Sequence, residues 1–143
     1  MADTTTNNAT HATDVVVDAS AMVDLLLGTD EAAAVAAAVT GRTMAAPAHL
    51  DAEVTSALGR LHRSGVLGDD ATLARIERLA TAPIRRAPLA PLLVGAWARR
   101  HDTRLADALY LQLATELDTV VITTDRRLAR AHPSRTRVPD PPT

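Results

Sequence analysis

Apolar residues fall into two patterns along the 143-residue chain. Short runs rich in β-branched residues predict buried strands, and longer stretches with one apolar face predict amphipathic helices. The strand-like runs are DVVVD (14–18), RTMAAP (42–47), PIRRAP (83–88) and TVVITTD (119–125), with TRVPD (136–140) as a candidate edge strand. The helix-like segments between them are 19–28, 29–40, 48–65, 69–80, 90–101, 105–117 and 126–131.

Strands that alternate with helices predict an α/β fold in which a parallel sheet is covered on both faces. Gly28 and Gly65 are expected to end the first and third helices. Thr29 or Asp30 is expected to cap the second helix. The length and the lack of an internal repeat indicate one domain.

Composition excludes several classes of protein. The chain has no Cys, so disulfides and thiolate metal sites are excluded, which fits a reducing cytoplasm. No apolar run approaches the ~18 residues of a membrane span, so no membrane association is expected. The polar start MADTTTNNATHAT lacks the basic and apolar parts of a secretory signal, and residues 1–13 are predicted to be a disordered tail.

Charge is divided unevenly along the chain. Residues 1–59 carry one arginine against eight acidic residues, whereas residues 60–143 carry 14 arginines against nine acidic residues. Acidic groups beside an arginine-rich surface suit a site that holds cations and meets a polyanion. Solvated helix faces would give the same asymmetry, so charge alone leaves both interpretations open.

Acidic residues stand where an ordinary core has none. Asp18 and Asp125 each follow a predicted strand, and functional groups of an open parallel sheet gather outside the carboxyl ends of its strands. Asp107 lies on the apolar side of helix 105–117, where a charge is costly unless it is paired or holds a metal. An ion pair with Arg104, or a first-turn position near backbone amides, would also account for Asp107. Asp51 and Glu53 flank the apolar stripe of helix 48–65, and the helical wheel does not choose between them.

Several carboxylates in one cleft favour a bound cation. One pair 4 Å apart costs about 4 kcal/mol at an effective dielectric of 20. Protonation relieves this repulsion, and so does a divalent ion, for which an all-oxygen site favours Mg²⁺ or Mn²⁺. Such ions activate water in phosphoryl transfer. Nucleotide-binding glycine motifs, an HExxH pair and a GxSxG elbow are absent. Ser20 is expected to cap its helix, with orientation of a metal-bound water as the alternative. His49 is expected to lie at the surface, with a supporting role beside the site as the alternative.

With these residues in place, the chain resembles the PIN-domain ribonucleases, specifically the VapC-type toxins of bacterial toxin–antitoxin pairs. The matching stretches, in family order from residue 14 to residue 131, are VVVDASAMVDLLLG, AAPAHLDAEVTSALGRLHRSG, PIRRAPLAPLLVGAWARRHDTRLADALYLQLATEL and TVVITTDRRLARA. The resemblance implies a three-layer PIN-like fold with a central parallel sheet of four or five short strands flanked by helices. It also implies a nuclease domain at 14–138 and a flexible C-terminal end at 139–143.

The resemblance assigns the site as well. The second acid of the family pattern is the glutamate of the AEV helix, so the resemblance selects Glu53 over Asp51. It implies that the four catalytic and metal-binding acids are Asp18, Glu53, Asp107 and Asp125. Ser20 and Thr123 are candidates for side chains that support these acids. Candidate contacts to the RNA backbone are Arg99, Arg100 and Arg104. The chain departs from the family pattern in the segment before the third acid. That segment often carries a Ser or Thr and an aromatic residue in the family, whereas here it is Arg104, Leu105 and Ala106.

The leading hypothesis is therefore a cytoplasmic, Mg²⁺- or Mn²⁺-dependent endoribonuclease that acts as a toxin, forms a homodimer and is silenced by a cognate small antitoxin. A metal-activated water held by the four acids would hydrolyse RNA phosphodiester bonds. The alternative is a catalytically silent PIN-like module that binds RNA or protein, and a third hypothesis is a small-molecule phosphohydrolase. With one Trp, one Tyr and no Phe, base stacking is not expected to dominate RNA recognition.

Overall fold

The computed structural model describes residues 14–141. This part of the chain contains five strands and seven α-helices in an alternating order. The strands are β1 (Asp14–Val17), β2 (Thr43–Pro47), β3 (Ile84–Ala87), β4 (Val121–Ile122) and β5 (Thr136–Arg137). The helices are α1 (Ala19–Leu27), α2 (Ala32–Val39), α3 (Leu50–Arg63), α4 (Asp69–Thr81), α5 (Leu93–Ala98), α6 (Leu105–Glu116) and α7 (Arg126–Ala131). The predicted tail at 1–13 and the last two residues of the predicted C-terminal end lie outside the described residues.

All five strands are parallel, in the order β3-β2-β1-β4-β5. The chain moves outward from β1 to β3 and then crosses back to β4, so right-handed connections put α1 to α4 on one face and α5 to α7 on the other. The predicted three-layer α/β fold is therefore confirmed. The strand order reverses between β1 and β4, which is the point where open parallel sheets bind ligands.

The core lies between these layers and is built almost entirely from aliphatic side chains. Val15, Val16 and Val17 have no exposed surface, because β1 is the central strand and both of its faces are covered. Tyr110 is the largest fully buried side chain of the described residues. Its hydroxyl needs a hydrogen-bond partner at this depth, and that partner belongs to the site described below.

The structure corrects three local predictions. Neither Thr29 nor Asp30 caps α2, because the helix begins at Ala32 after Glu31, which makes no side-chain cap bond, and the Thr29 hydroxyl donates to Asp24 Oδ1 (2.8 Å). The helix predicted at 90–101 is a 3-10 turn at Ala90–Leu92 followed by the short α5, which ends before Arg99. The run 119–125 keeps only two residues of regular strand. Beyond Ile122, the Thr123 amide still donates to the Arg137 carbonyl oxygen of β5 (3.1 Å), whereas the Thr124 amide donates to the Ser20 hydroxyl after β1 (3.0 Å).

Gly28 ends α1 with a positive φ of 69°, as its place in the sequence predicts. The edge strand expected near the C-terminus is present as β5. Among the helices of residues 14–141, none is both long and apolar enough to cross a membrane.

Candidate active site

Asp18 is the first residue after β1 and the N-cap of α1. Its Oδ1 accepts hydrogen bonds from the Ala21 amide (3.0 Å) and the Ser20 hydroxyl (2.7 Å). Its Oδ2 accepts one from the Thr123 hydroxyl. The prediction that Ser20 caps α1 is therefore wrong, because Asp18 is the capping residue. Ser20 lies in the first turn of the helix and donates to the Asp18 carboxylate.

Ser20 and Thr123 join the ends of β1 and β4. While donating to Asp18, the Ser20 hydroxyl accepts from the Thr124 amide (3.0 Å). The Thr123 hydroxyl in turn accepts from the Asp125 amide (3.0 Å). Both hydroxyls thus orient Asp18 and also fix the backbone that carries the acid after β4. Both residues, which the sequence analysis named only as candidates for supporting the acids, contact Asp18.

The position of Asp18 disfavours its charge. The residue is 6% exposed, and burial raises its pKa from the ordinary value of 3.8 to about 6. The hydrogen bonds from Thr123, Ala21 and Ser20 favour the ionised form and limit this rise. The negative charge of Asp107 adds to it. A carboxylate held in this way gains from a nearby cation.

Asp125 follows β4 and caps α7. Its Oδ1 accepts from the Arg127 amide (2.9 Å) and the Leu128 amide (3.2 Å). Its Oδ2 accepts from the Arg127 guanidinium (3.2 Å). Burial opposes ionisation, but the amide bonds and the guanidinium outweigh it, and the pKa of Asp125 is lowered. This acid therefore stays ionised under conditions in which Asp18 takes up a proton.

Asp107 lies in the first turn of α6, at the centre of the acidic group. Burial raises its pKa, and the charges of Glu53 and Asp125 raise it further, whereas Arg127 and Arg104 lower it. Its Oδ2 is buried and has no hydrogen-bond partner, because the nearest Arg127 nitrogen is 3.6 Å away. The expected ion pair therefore exists, but with Arg127 and not with Arg104.

Glu53 reaches the same group from α3. Its Oε1 accepts from the Tyr110 hydroxyl (2.7 Å) and lies 3.1 Å from His49 Nε2. The bond from His49 is the main cause of the lowered pKa of Glu53, with Tyr110 contributing in the same direction against burial. His49 Nε2 is also 3.0 Å from the carbonyl oxygen of Ala106. Because both of these oxygens are acceptors, Nε2 is the ring nitrogen of His49 that carries a proton.

His49 is not the surface residue that the sequence suggested. Its side chain is 15% exposed and its ring packs on Tyr110 with centroids 4.8 Å apart. The structure also separates Glu53 from Asp51. Asp51 pairs with Arg86 of β3 at 3.1 Å and faces away from the acidic group. No sequence signal identified Tyr110 or Arg127, since each reaches the acids only through the tertiary fold.

The three arginines predicted to contact RNA have different surroundings. Arg104 is the exposed N-cap of α6 and acts electrostatically on Asp107. Arg99 donates to Thr115 Oγ1 (2.9 Å). Arg100 donates to the Trp97 carbonyl oxygen (3.1 Å) and lies over the Trp97 ring. Of the three, Arg104 is the one coupled to the acids, and contacts to RNA stay a prediction for all of them.

The four acids form one electrostatic unit at the carboxyl edge of the sheet. In residues 14–141, no three acidic or histidine side chains already have the spacing of a complete metal cage. Hydrogen bonds hold Asp18, and Arg127 lies against Asp107 and Asp125. Even so, the unfilled buried oxygen of Asp107 and the all-oxygen set around it suit a hard divalent ion. The residues present therefore fit such an ion after local rearrangement.

Comparison with known proteins agrees with this architecture. The sequence model of the PIN domain matches residues 15–132, a range that includes all four acids. The chain is 54% identical to Ribonuclease VapC3 of Mycobacterium tuberculosis strain H37Rv over 121 residues, which cover 84% of this chain and 88% of that protein. It is 39% identical to Ribonuclease VapC12 of the same strain over 118 residues, with 82% and 92% covered. Ribonuclease VapC1 of that strain is 38% identical over 120 residues, with 82% and 90% covered.

The chain therefore belongs to the PIN-domain family, and these relatives put it among the VapC-type ribonucleases. The resemblance drawn from the sequence is confirmed.

Proposed function

We propose that this protein is a divalent-metal-dependent endoribonuclease that acts in the cytoplasm as the toxin of a type II toxin–antitoxin pair. The observation that carries the proposal is the buried Asp107 Oδ2, which has no hydrogen-bond partner and lies among three further carboxylates. Burying a carboxylate oxygen without a hydrogen-bond partner is costly, and a surface that only binds another molecule gains nothing from that cost. The relatives are named ribonucleases, and this supports the reaction class proposed here.

Each acid has a distinct part in the proposed site. Asp18 and Asp107 are the principal ligands, because burial makes both charges unfavourable without a cation. Glu53 and Asp125 complete the negative field, and both are held ionised by hydrogen bonds. When bound, Mg²⁺ or Mn²⁺ supplies an activated water and neutralises charge that develops on the phosphate. Ser20 and Thr123 orient Asp18 for this role.

RNA binding would rest on arginine. Arg104 stands at the start of α6, near enough to Asp107 for its charge to lower the pKa of that carboxyl. A guanidinium at this place binds a phosphate oxygen without reading the base. Arg99 and Arg100 would extend the basic surface away from the acids. This arrangement supports a backbone-directed contact to single-stranded RNA.

A cognate small antitoxin is the proposed inhibitor. Four carboxylates at one edge attract a basic side chain, and Arg pairs with carboxylates through two parallel hydrogen bonds. We expect the antitoxin to insert such a residue against Asp107 and so compete with the metal. An inhibitory segment without any basic residue at the cleft would contradict this part of the proposal.

A homodimer is proposed as well, and α5 offers a surface for it. Four large apolar side chains on α5 and at the start of α6 are exposed: Leu93, Val94, Trp97 and Leu105. Leu93, Trp97 and Leu105 line a groove of about 520 Å³ that also reaches His49. Contiguous apolar surface of this kind favours a protein partner. Sedimentation of the parent and of Val94→Glu tests this, because the charged variant should be a monomer if α5 forms the contact.

The second candidate is a PIN-like module that binds RNA or protein without cleaving it. Arg127 favours this reading to some extent, since it already neutralises part of the acidic group without any metal. A silent module, however, would tolerate loss of Asp107 without loss of effect on the cell.

Expression in a bacterial host separates these functions. The parent should arrest growth and degrade cellular RNA, and co-expression of the small protein encoded beside it should relieve the arrest. Asp107→Asn should be harmless at equal abundance, with Asp51→Asn as the matched control that stays toxic. Growth arrest by Asp107→Asn equal to that of the parent would favour the silent module.

A further inference from the structure

The guanidinium of Arg127 occupies the space between two of the acids. Its Nη2 lies 3.2 Å from Asp125 Oδ2 and 3.6 Å from Asp107 Oδ2. These acids come from different elements, the start of α6 and the cap of α7. One side chain therefore counters the repulsion between two carboxylates that the fold brings together.

The same contacts are loose. The Arg127 side chain is 53% exposed, and exposed ion pairs contribute little to stability. The contact to Asp107 is too long for a hydrogen bond, so the buried Oδ2 is still without a partner. Arg127 thus offsets negative charge of Asp107 and Asp125 without giving Asp107 Oδ2 a hydrogen bond. Its guanidinium can turn into solvent at small cost in free energy.

From this geometry we propose that Arg127 is an internal counter-cation that competes with the divalent ion for Asp107 and Asp125. It offsets the repulsion between the two acids in the ion-free site and must withdraw from Asp107 before an ion can bind there. The residue therefore raises the ion concentration at which the site fills. The inference rests on the proposed function, because it requires that the acids bind a divalent ion.

The neighbouring Arg126 is the matched control. It is exposed on the same helix, and within residues 14–141 it forms no ion pair with the acids. Arg127→Gln and Arg126→Gln change the net charge equally, one residue apart. A difference between them therefore reports the position of the guanidinium and not the general field of the protein.

The test is Mn²⁺ binding without RNA, followed by the electron paramagnetic resonance signal of the free ion. Removal of two exposed ion pairs should lower the Kd of Arg127→Gln about five- to tenfold relative to the parent. Arg126→Gln should change it less than about twofold, and Arg127→Lys, which keeps the charge, should stay near the parent. A Kd for Arg127→Gln that is unchanged or higher than the parent's would overturn the inference, since a residue that merely orients the acids would weaken binding when removed.

A second measurement needs no metal. In EDTA, Arg127→Gln should melt below Arg126→Gln, because the acids then repel without a counter-cation. The same substitution made in an Asp107→Asn background should cost much less. Equal costs in both backgrounds would count against the inference.

Failure of the proposed function gives a different pattern. If the parent and all variants bind no Mn²⁺, the metal-dependent function fails and the inference fails with it. If the parent binds Mn²⁺ and cleaves RNA while Arg127→Gln binds with unchanged affinity, the inference alone fails.

Discussion

Asp18 should make the ion-free protein less stable as pH rises from about 4 to 6. The pKa of this carboxyl is raised from 3.8 to about 6 in the folded protein, mainly by burial. The folded state therefore binds the proton more tightly than the unfolded chain, and that preference stabilises the fold fully below the unfolded pKa. The stabilisation is lost as pH rises through the folded pKa.

The size of the effect follows from the shift. Each unit of pKa corresponds to 1.36 kcal/mol, so a rise to about 6 amounts to about 3 kcal/mol at most between pH 4 and pH 7. Asp107 adds a contribution of the same sign, because its pKa is also raised. Glu53 and Asp125 act oppositely and at lower pH, because their pKa values are lowered.

Asp18→Asn isolates this contribution. Urea unfolding of the parent and the variant in EDTA, at intervals from pH 4 to pH 8, gives the difference in unfolding free energy at each pH. The parent should lose up to about 3 kcal/mol relative to the variant across this range, and the difference between the two proteins should stay constant above pH 7. Asp51→Asn, whose carboxylate lies outside the site, is the control and should show no such loss. The reasoning is refuted if the difference between parent and Asp18→Asn does not change with pH.

Two further substitutions test the site from other sides. Asp107→Asn should be at least as stable as the parent in EDTA at pH 7, since burial and the charges of Glu53 and Asp125 disfavour the ionised acid; a much lower melting temperature would show that the pair with Arg127 is structural. Tyr110→Phe removes the hydrogen bond to Glu53 and should cost about 1 kcal/mol of unfolding free energy. It should also weaken Mn²⁺ binding, and unchanged affinity would show that Glu53 needs no positioning.

The fold and part of the site were predictable because they depend on local pattern. The four short apolar runs and the helices between them imply a parallel sheet, and acids after β1 and β4 then meet if those strands are neighbours. They are neighbours, with Val17 opposite Ile122. Asp107 was detectable because a charge on the apolar side of a helix needs a partner.

The contacts that complete the site were not predictable in this way. Tyr110 and Glu53 are 57 positions apart, and their hydrogen bond depends on how α3 and α6 approach at the edge of the sheet. The helical wheel left Asp51 and Glu53 equal, and only the family resemblance chose Glu53. In the structure, Asp51 pairs with Arg86 of β3, whereas Glu53 accepts from Tyr110. Arg127 follows Asp125 closely in sequence, but its contact to Asp107 joins two elements that no local pattern relates.

Cleavage of single-stranded RNA by the purified protein tests the central claim most directly. The parent should cut RNA in Mg²⁺ or Mn²⁺, stop in EDTA, and resume when the ion is restored in excess. Asp107→Asn should stay inactive at every ion concentration, while Asp51→Asn should cut like the parent. Cleavage that continues undiminished in EDTA, or that survives in Asp107→Asn, would contradict a metal site built on this carboxylate.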